Sequence, residues 1–452
     1  GKLAELMTSP RNGPYRGENH EKVLINYYKS LNYLSLAQTL QASSERRQAL
    51  EGARVEARRM LIRLNDLESQ KGSYQQLKDD EESTFGTLMN IYGTLKGNPL
   101  DMDQLEYRDD ALAHYLTGVS FEMNGELDDA RISYESAAKS YEEGFARQFR
   151  LGDDITAQAW FDTVRVMRQS GHYEKEWREL AAAKLSADQR QQLDDLDGKA
   201  QVLVIEHKGS VPRLQEMSLN LSVNPQLRAL QIEPYGVGYG PDALAWFYVL
   251  YADKGVYNII TSYLDGTRNG RMFTPFTHTS LLGPAWSLVE ELGLDKAIGT
   301  SMRVTVPYYP HMPQLGESRL QVDGRTQNLI KASSPAQMAL QERLVQSSSD
   351  INTALARSSL KALTAAALGG KESSGLLSLV GKLAAQLTDA AETRSWLLLP
   401  AEIRIKRLIL EPGEHQLSLD SRLDAGKTAT SSTSLVLKPG EIHLWDVRSV
   451  SP

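Results

Sequence analysis

The amino-acid sequence predicts a multidomain α+β chain: an all-helical N-terminal array, a mixed α+β middle domain and a small antiparallel β region at the C-terminus. Three observations carry this expectation. From residue 19 to about 196, apolar residues recur at three- and four-residue steps, the period at which a helix presents one face. At DDLDGKAQVLVIEHKG the period shortens to that of a strand. After Pro400 the pattern is β to the end, with two Pro-Gly turns.

Residues 1–18 carry Pro10, Gly13, Pro14 and Gly17 and read as an extended lead-in. The helical domain spans 19–196. Its first stripe is Val23, Leu24, Tyr27, Tyr28, Leu31 and Leu34; a second helix covers roughly Ser44 to Leu77, and a third Phe85 to Leu95, closed by Gly97, Asn98 and Pro99. Arg54, Arg58, Arg59 and Arg63 read as a solvated face laced with Glu51 and Glu56. The most specific stretch is Ala111 to Ala138, two amphipathic helices broken by Asn124 and Gly125, with Asp128 and Asp129 opening the second. Gly118, Ala130 and Ala137 leave room for the pair to approach closely. This unit resembles the tetratricopeptide repeat, a helix-turn-helix module. A degenerate copy follows, with Trp160, Val164 and Met167 in place of His114, Gly118 and Phe121, and Gly171 aligned with Gly125; Glu176 stands where Ala130 does.

The middle domain, 197–333, has strands at QVLVIE, at Met217 to Val223, at MRVTVPYYP and at SRLQVDG, with helices at ALAWFYVLYA and PAWSLVEELGL. Residues 334–392 form a helical hairpin expected to pack on that domain: a helix opening at Ser334-Pro335 and ending at Gly369 and Gly370, then GLLSLVGKLAAQLTDAA. In 393–452, Pro412-Gly413 and Pro439-Gly440 each fit the centre of a type II turn, so two hairpins are expected.

Fifty-seven acids against 50 bases give a formal net charge of -7, so no global basic field invites nucleic acid. Cysteine is absent, which removes disulfides, thiolate metal sites and cysteine nucleophiles together. The catalytic signatures fail one by one. Gly426-Lys427-Thr428 ends like a phosphate loop, but Ser421 stands where its leading glycine belongs. Gly236, Gly238 and Gly240 are too regularly spaced for a dinucleotide fingerprint. His20-Glu21 opens a metalloprotease-like pair that Leu24 breaks. Asp195, Asp197 and Gly198 lack the remaining ligands of a calcium loop. No catalytic residue, cofactor or metal is therefore assigned. His278 and His311, in Tyr- and Pro-rich loops, and the aromatic set Tyr235, Tyr239, Trp246, Phe247, Tyr248 and Tyr251 define a second expectation, a glycan-binding or hydrolytic middle domain.

Several segments together carry a family resemblance: ALEGARVEARRM, KAQVLVIEHKGSVPRLQE, MRVTVPYYP, DINTALARSSLKAL and ETRSWLLLPAEIRIKRLILEPGEHQLSL, most distinctively Thr393-Arg394-Ser395-Trp396 through Pro400. In that order they resemble a poorly characterised family of bacterial tetratricopeptide-containing lipoproteins of the cell envelope. The resemblance implies export, membrane association through a lipid anchor on a removed N-terminal cysteine, and a periplasm-facing position at the outer membrane. It implies no catalytic residue. The stretch from 227 to 294 is longer than the resemblance leads one to expect, and a larger envelope assembly could use it as a contact.

The leading functional expectation is a non-enzymatic scaffold or adaptor that holds a protein partner in the concave surface of its helical array. Counted from Gly118, the groove-facing positions are Tyr115, Val119 and Glu122; from the degenerate copy they are Phe161, Arg165 and Arg168. The two arginines suit a bidentate clamp on a peptide carboxylate.

Overall fold

The computed structural model describes residue 15 and residues 17–69, 84–95, 108–235, 240–251, 276–310, 312–369 and 390–451. The lead-in up to residue 14, residues 70–77 of the second expected helix, the Gly97-Asn98-Pro99 stop, most of the glycine-rich loop, His311, Tyr239 and nearly all of GLLSLVGKLAAQLTDAA lie outside the described residues.

Helices come first: α1 (Asn19–Thr39), α2 (Ser43–Ser69), α3 (Thr84–Gly93), α4 (Ala111–Met123), α5 (Leu127–Ser140), α6 (Asp154–Ser170), α7 (Glu174–Lys184) and α8 (Ala187–Asp194). The α4–α5 hairpin forms as the sequence expects. Asp110 caps α4 by accepting from the Ala113 amide at 3.0 Å. Gly125 takes a φ of +77° at the turn, a value that suits glycine. Gly118 lies against the Tyr134 ring, where an added Cβ would stand 2.8 Å from ring carbons. That contact, rather than backbone freedom, requires the glycine. Gly171 ends α6 with a φ of +71°, in the place aligned with Gly125.

The remaining elements are β1 (Ala200–Lys208), β2 (Gln215–Asn224), β3 (Ala229–Pro234), α9 (Pro241–Tyr251), β4 (His278–Leu281), α10 (Trp286–Leu292), α11 (Leu294–Ile298), β5 (Met302–Tyr308), β6 (Ser318–Val322), β7 (Arg325–Asn328), β8 (Ile330–Ser333), α12 (Pro335–Gly369), β9 (Glu402–Leu410), β10 (Gly413–Arg422), β11 (Thr428–Leu437) and β12 (Ile442–Ser449). Among the described residues they build three four-stranded sheets, ordered β12-β1-β9-β8, β11-β10-β6-β7 and β4-β3-β2-β5. The helical N-terminal region, the mixed middle region and the C-terminal strands are all present.

The C-terminal strands do not form a sheet of their own, and this corrects the expected pair of hairpins. β9 and β12 flank β1, antiparallel and parallel respectively, whereas β10 and β11 join β6. Both Pro-Gly turns therefore carry the chain from one sheet to the other. The hairpin that does form, β10–β11, turns at Asp424–Gly426, beside the segment that ended like a phosphate loop. The reason lies in burial. On β1, Val202 and Val204 point into a core shared with Leu320, Leu417, Leu419 and Leu408, while Leu203 and Ile205 join the large core under the helices. A strand covered on both faces reads as a continuous apolar run, and it needs two layers to cover it.

α12 is one long helix packed on β5 and on α3, where the hydroxyls of Tyr92 and Ser359 bond. The distinctive Trp396 segment seats on α1: its amide donates to Glu21 at 2.7 Å, and its ring lies 5.8 Å from that of Tyr28. Among the described residues, no helix is long and apolar enough to cross a membrane.

Candidate functional site

The first sheet lies against the inner side of the helical array, and charge marks the contact. β9 presents Ile403, Ile405 and Arg407 on its helix-facing side. The array answers with Glu122 from α4, Tyr134 from α5, and Asp162 and Arg165 from α6. The side chains of all four charged residues are at most 2% exposed.

Arg165 is the hub. It grips Glu122 with both terminal nitrogens, one at 2.7 Å, and its Nε donates to Asp162 Oδ1 at 3.0 Å. Arg407 approaches Asp162 Oδ1 at 2.8 Å through Nε, an ion-pair contact outside hydrogen-bonding geometry. Its other nitrogens donate to Gln201 Oε1 at 3.0 Å and to the Tyr134 hydroxyl at 3.2 Å. Tyr115 donates to Asp162 at 2.6 Å and Tyr134 to Glu122 at 2.8 Å. Two carboxylates thus meet two guanidinium groups, and hydroxyls fill the remaining acceptor positions.

Burial alone pushes the Glu122 carboxyl up, but the Arg165 charge and hydrogen bonds, then Arg407 and the Tyr134 hydroxyl, pull it to about 2. Burial and the Asp162 carboxylate raise Tyr115, which keeps it a donor. The fold therefore binds the ionised form of Glu122 more tightly than the unfolded chain does. Its contribution is complete above the ordinary glutamate value of 4.5 and is lost as pH falls toward 2. Stability measured by urea melts is expected to drop through that window, and Glu122→Gln should flatten the drop.

The structure corrects the expected groove. Tyr115, Val119, Glu122, Phe161 and Arg165 are 1–6% exposed, buried within the chain itself. Arg168 is partly exposed but engaged, donating to the Leu193 carbonyl and lying 3.4 Å from Asp197. The buried positions on α4 and α6 face β8 and β9, which occupy that side. Asp162, Tyr134 and Arg407 complete the cluster and were not singled out from sequence. Arg407 carried a signal, since it continues the apolar face of Ile403 and Ile405.

Of the aromatic set, Tyr235 is 47% exposed and lies beneath the Arg303 guanidinium at 4.9 Å. Trp246 and Phe247 are fully buried, and Phe247 packs on Phe276 at 4.9 Å and on Tyr251 at 5.0 Å. His278 bonds the Leu95 carbonyl at 3.0 Å. A cavity of about 370 Å³ is lined by Arg150, Gln314, Lys331, Gln337 and Glu402 among others. There Glu402 is held by Lys331 at 3.2 Å and Arg404 at 2.6 Å, so its charge is already matched. No group of three potential metal ligands converges among the described residues.

The lipoprotein expectation is also corrected. These 452 residues contain no cysteine, so none of them offers a thiol to carry a lipid, and the anchor and outer-membrane position that the resemblance implied find no site within this sequence. Compared with family models, with curated proteins and with solved structures, the chain finds no match.

Proposed function

We propose that this protein is a non-catalytic scaffold of the tetratricopeptide type that binds a protein partner on the outer face of its first helical hairpin. One observation carries this reading. α1 and α2 expose five large apolar side chains: Ile25 at 39%, Tyr33 at 40%, Leu36 at 46%, Val55 at 37% and Ile62 at 59%. Ile25, Tyr33 and Leu36 recur at steps of eight and three along α1, and Val55 and Ile62 at a step of seven on α2, so each set lies on one helical face.

The hairpin register brings the two sets together. Tyr33 covers Gly52, and Asn26 bonds both Glu56 at 2.7 Å and Arg63 at 2.5 Å. Ile25 is thereby level with the turn of α2 that holds Ile62. Basic groups at Lys29, Arg58 and Arg59 border the stripe. An amphipathic helix with an acidic margin is the partner chemistry that fits.

The test is Ile25→Glu combined with Ile62→Glu. Chemical cross-linking in the native host, read by mass spectrometry, should lose the partner that the wild type yields, while the circular dichroism melt stays within a few degrees. Equal recovery of the same partner by the double variant would remove this reading.

A further inference from the structure

Edge strands leave rows of backbone N–H and C=O groups without partners, and folded proteins shorten, charge or cover them. The three sheets have six edges. β4, β7 and β8 are four residues each, and β8 is bulged. β5 carries Pro307 and lies under α12. β12 bears Asp446 and Arg448, and Gln38 caps it by donating to the Leu444 carbonyl at 3.0 Å and accepting from its amide at 2.6 Å.

β11 has none of these devices. Its ten residues, TATSSTSLVL, include no charge, proline or glycine. Among the described residues β10 is its sole strand partner. At the hairpin mouth, the Leu423 amide donates to the Lys427 carbonyl at 2.7 Å, and the register continues through Ser421↔Ala429 and Leu419↔Ser431. Odd-numbered residues thus turn their backbone groups to β10, and the alternate ones turn theirs outward. Those are Thr428, Thr430, Ser432, Ser434 and Val436, all exposed. Thr430 and Ser434 send their hydroxyls across to Asp420 and Gln416 on β10, both at 2.7 Å, which leaves the outer edge clear.

We propose that two copies of this chain join through β11, antiparallel about a two-fold axis at Ser432, so that two four-stranded sheets become one of eight. The strand suits a second copy because the pairing is self-complementary. Thr430 meets Ser434 and Thr428 meets Val436 of the other copy, with hydroxyls opposite hydroxyls or small apolar groups. Each copy carries a net charge of -7, and this uncharged strand lets two such molecules meet without opposing charges at the seam. The dimer is independent of partner docking on α1 and α2.

Sedimentation equilibrium on the full chain tests it. Wild type is expected at twice the 50.3 kDa chain mass at micromolar concentration. Ser432→Lys, which sets two like charges on the axis, should weaken association at least tenfold with an unchanged circular dichroism melt. Ser432→Cys introduces the chain's sole thiol, and a short bismaleimide should link it to its counterpart. A wild type that stays monomeric, including one that pairs β11 with a strand of another protein, overturns the proposal. So does a dimer that survives Ser432→Lys or fails to cross-link through Ser432→Cys.

Discussion

Arg407→Ala is expected to lower the stability of the whole chain by roughly 3–5 kcal/mol, although Arg407 belongs to a strand and its partners belong to helices. The substitution leaves Glu122 and Asp162 buried with Arg165 as their only cation, and it strips a donor from Tyr134. Arg165→Glu should be at least as damaging, because it places a third carboxylate beside the other two. A urea midpoint measured with an unchanged slope reads the effect. Arg394→Ala is the control. Its side chain is 38% exposed, pairs with Glu392 two residues away and lies over the Tyr15 ring at 5.6 Å, surface contacts of small worth, so a change within about 0.5 kcal/mol is expected.

Gly118→Val is the second large effect. The first added carbon would stand 2.8 Å from the Tyr134 ring, and two more methyl groups would follow it into the same space. Tyr134 cannot swing aside freely, since its hydroxyl is committed to Glu122 and Arg407. Overpacking of this kind costs on the order of 1–3 kcal/mol, with loss of the hydroxyl bonds adding to it. Gly125→Ala tests a different cause. Nothing lies within 4 Å of a Cβ at that turn, so the strain of its positive φ is the only penalty, and a smaller loss on thermal melting is expected.

The helices were legible because their signals are local. The α4–α5 hairpin needs only a 3.6-residue period, the Asn124-Gly125 break and small residues where the helices touch. Strand pairing was not legible, because it depends on what covers each face. EPGE and KPGE state that the chain turns, but not whether the next strand pairs with the last one or crosses to another layer. The same limit governed the charges. Glu122 and Arg165 stand at the buried phase of their helices, which reads equally as a groove lining or as an internal pair. Arg407, on the apolar face of a strand some 240 residues later, decides between them, and no sequence-local rule connects it to α6.

The central claim is that helices and sheet form one body, closed at their contact by the Glu122, Asp162, Arg165 and Arg407 cluster. Hydrogen–deuterium exchange of Arg407→Ala against wild type tests it most directly. If the cluster couples the layers, amides of α4, α6 and β9 should lose protection together, while those of β2 and β3 in the distant sheet change little. Loss confined to β9, with α4 and α6 as protected as before, would contradict it.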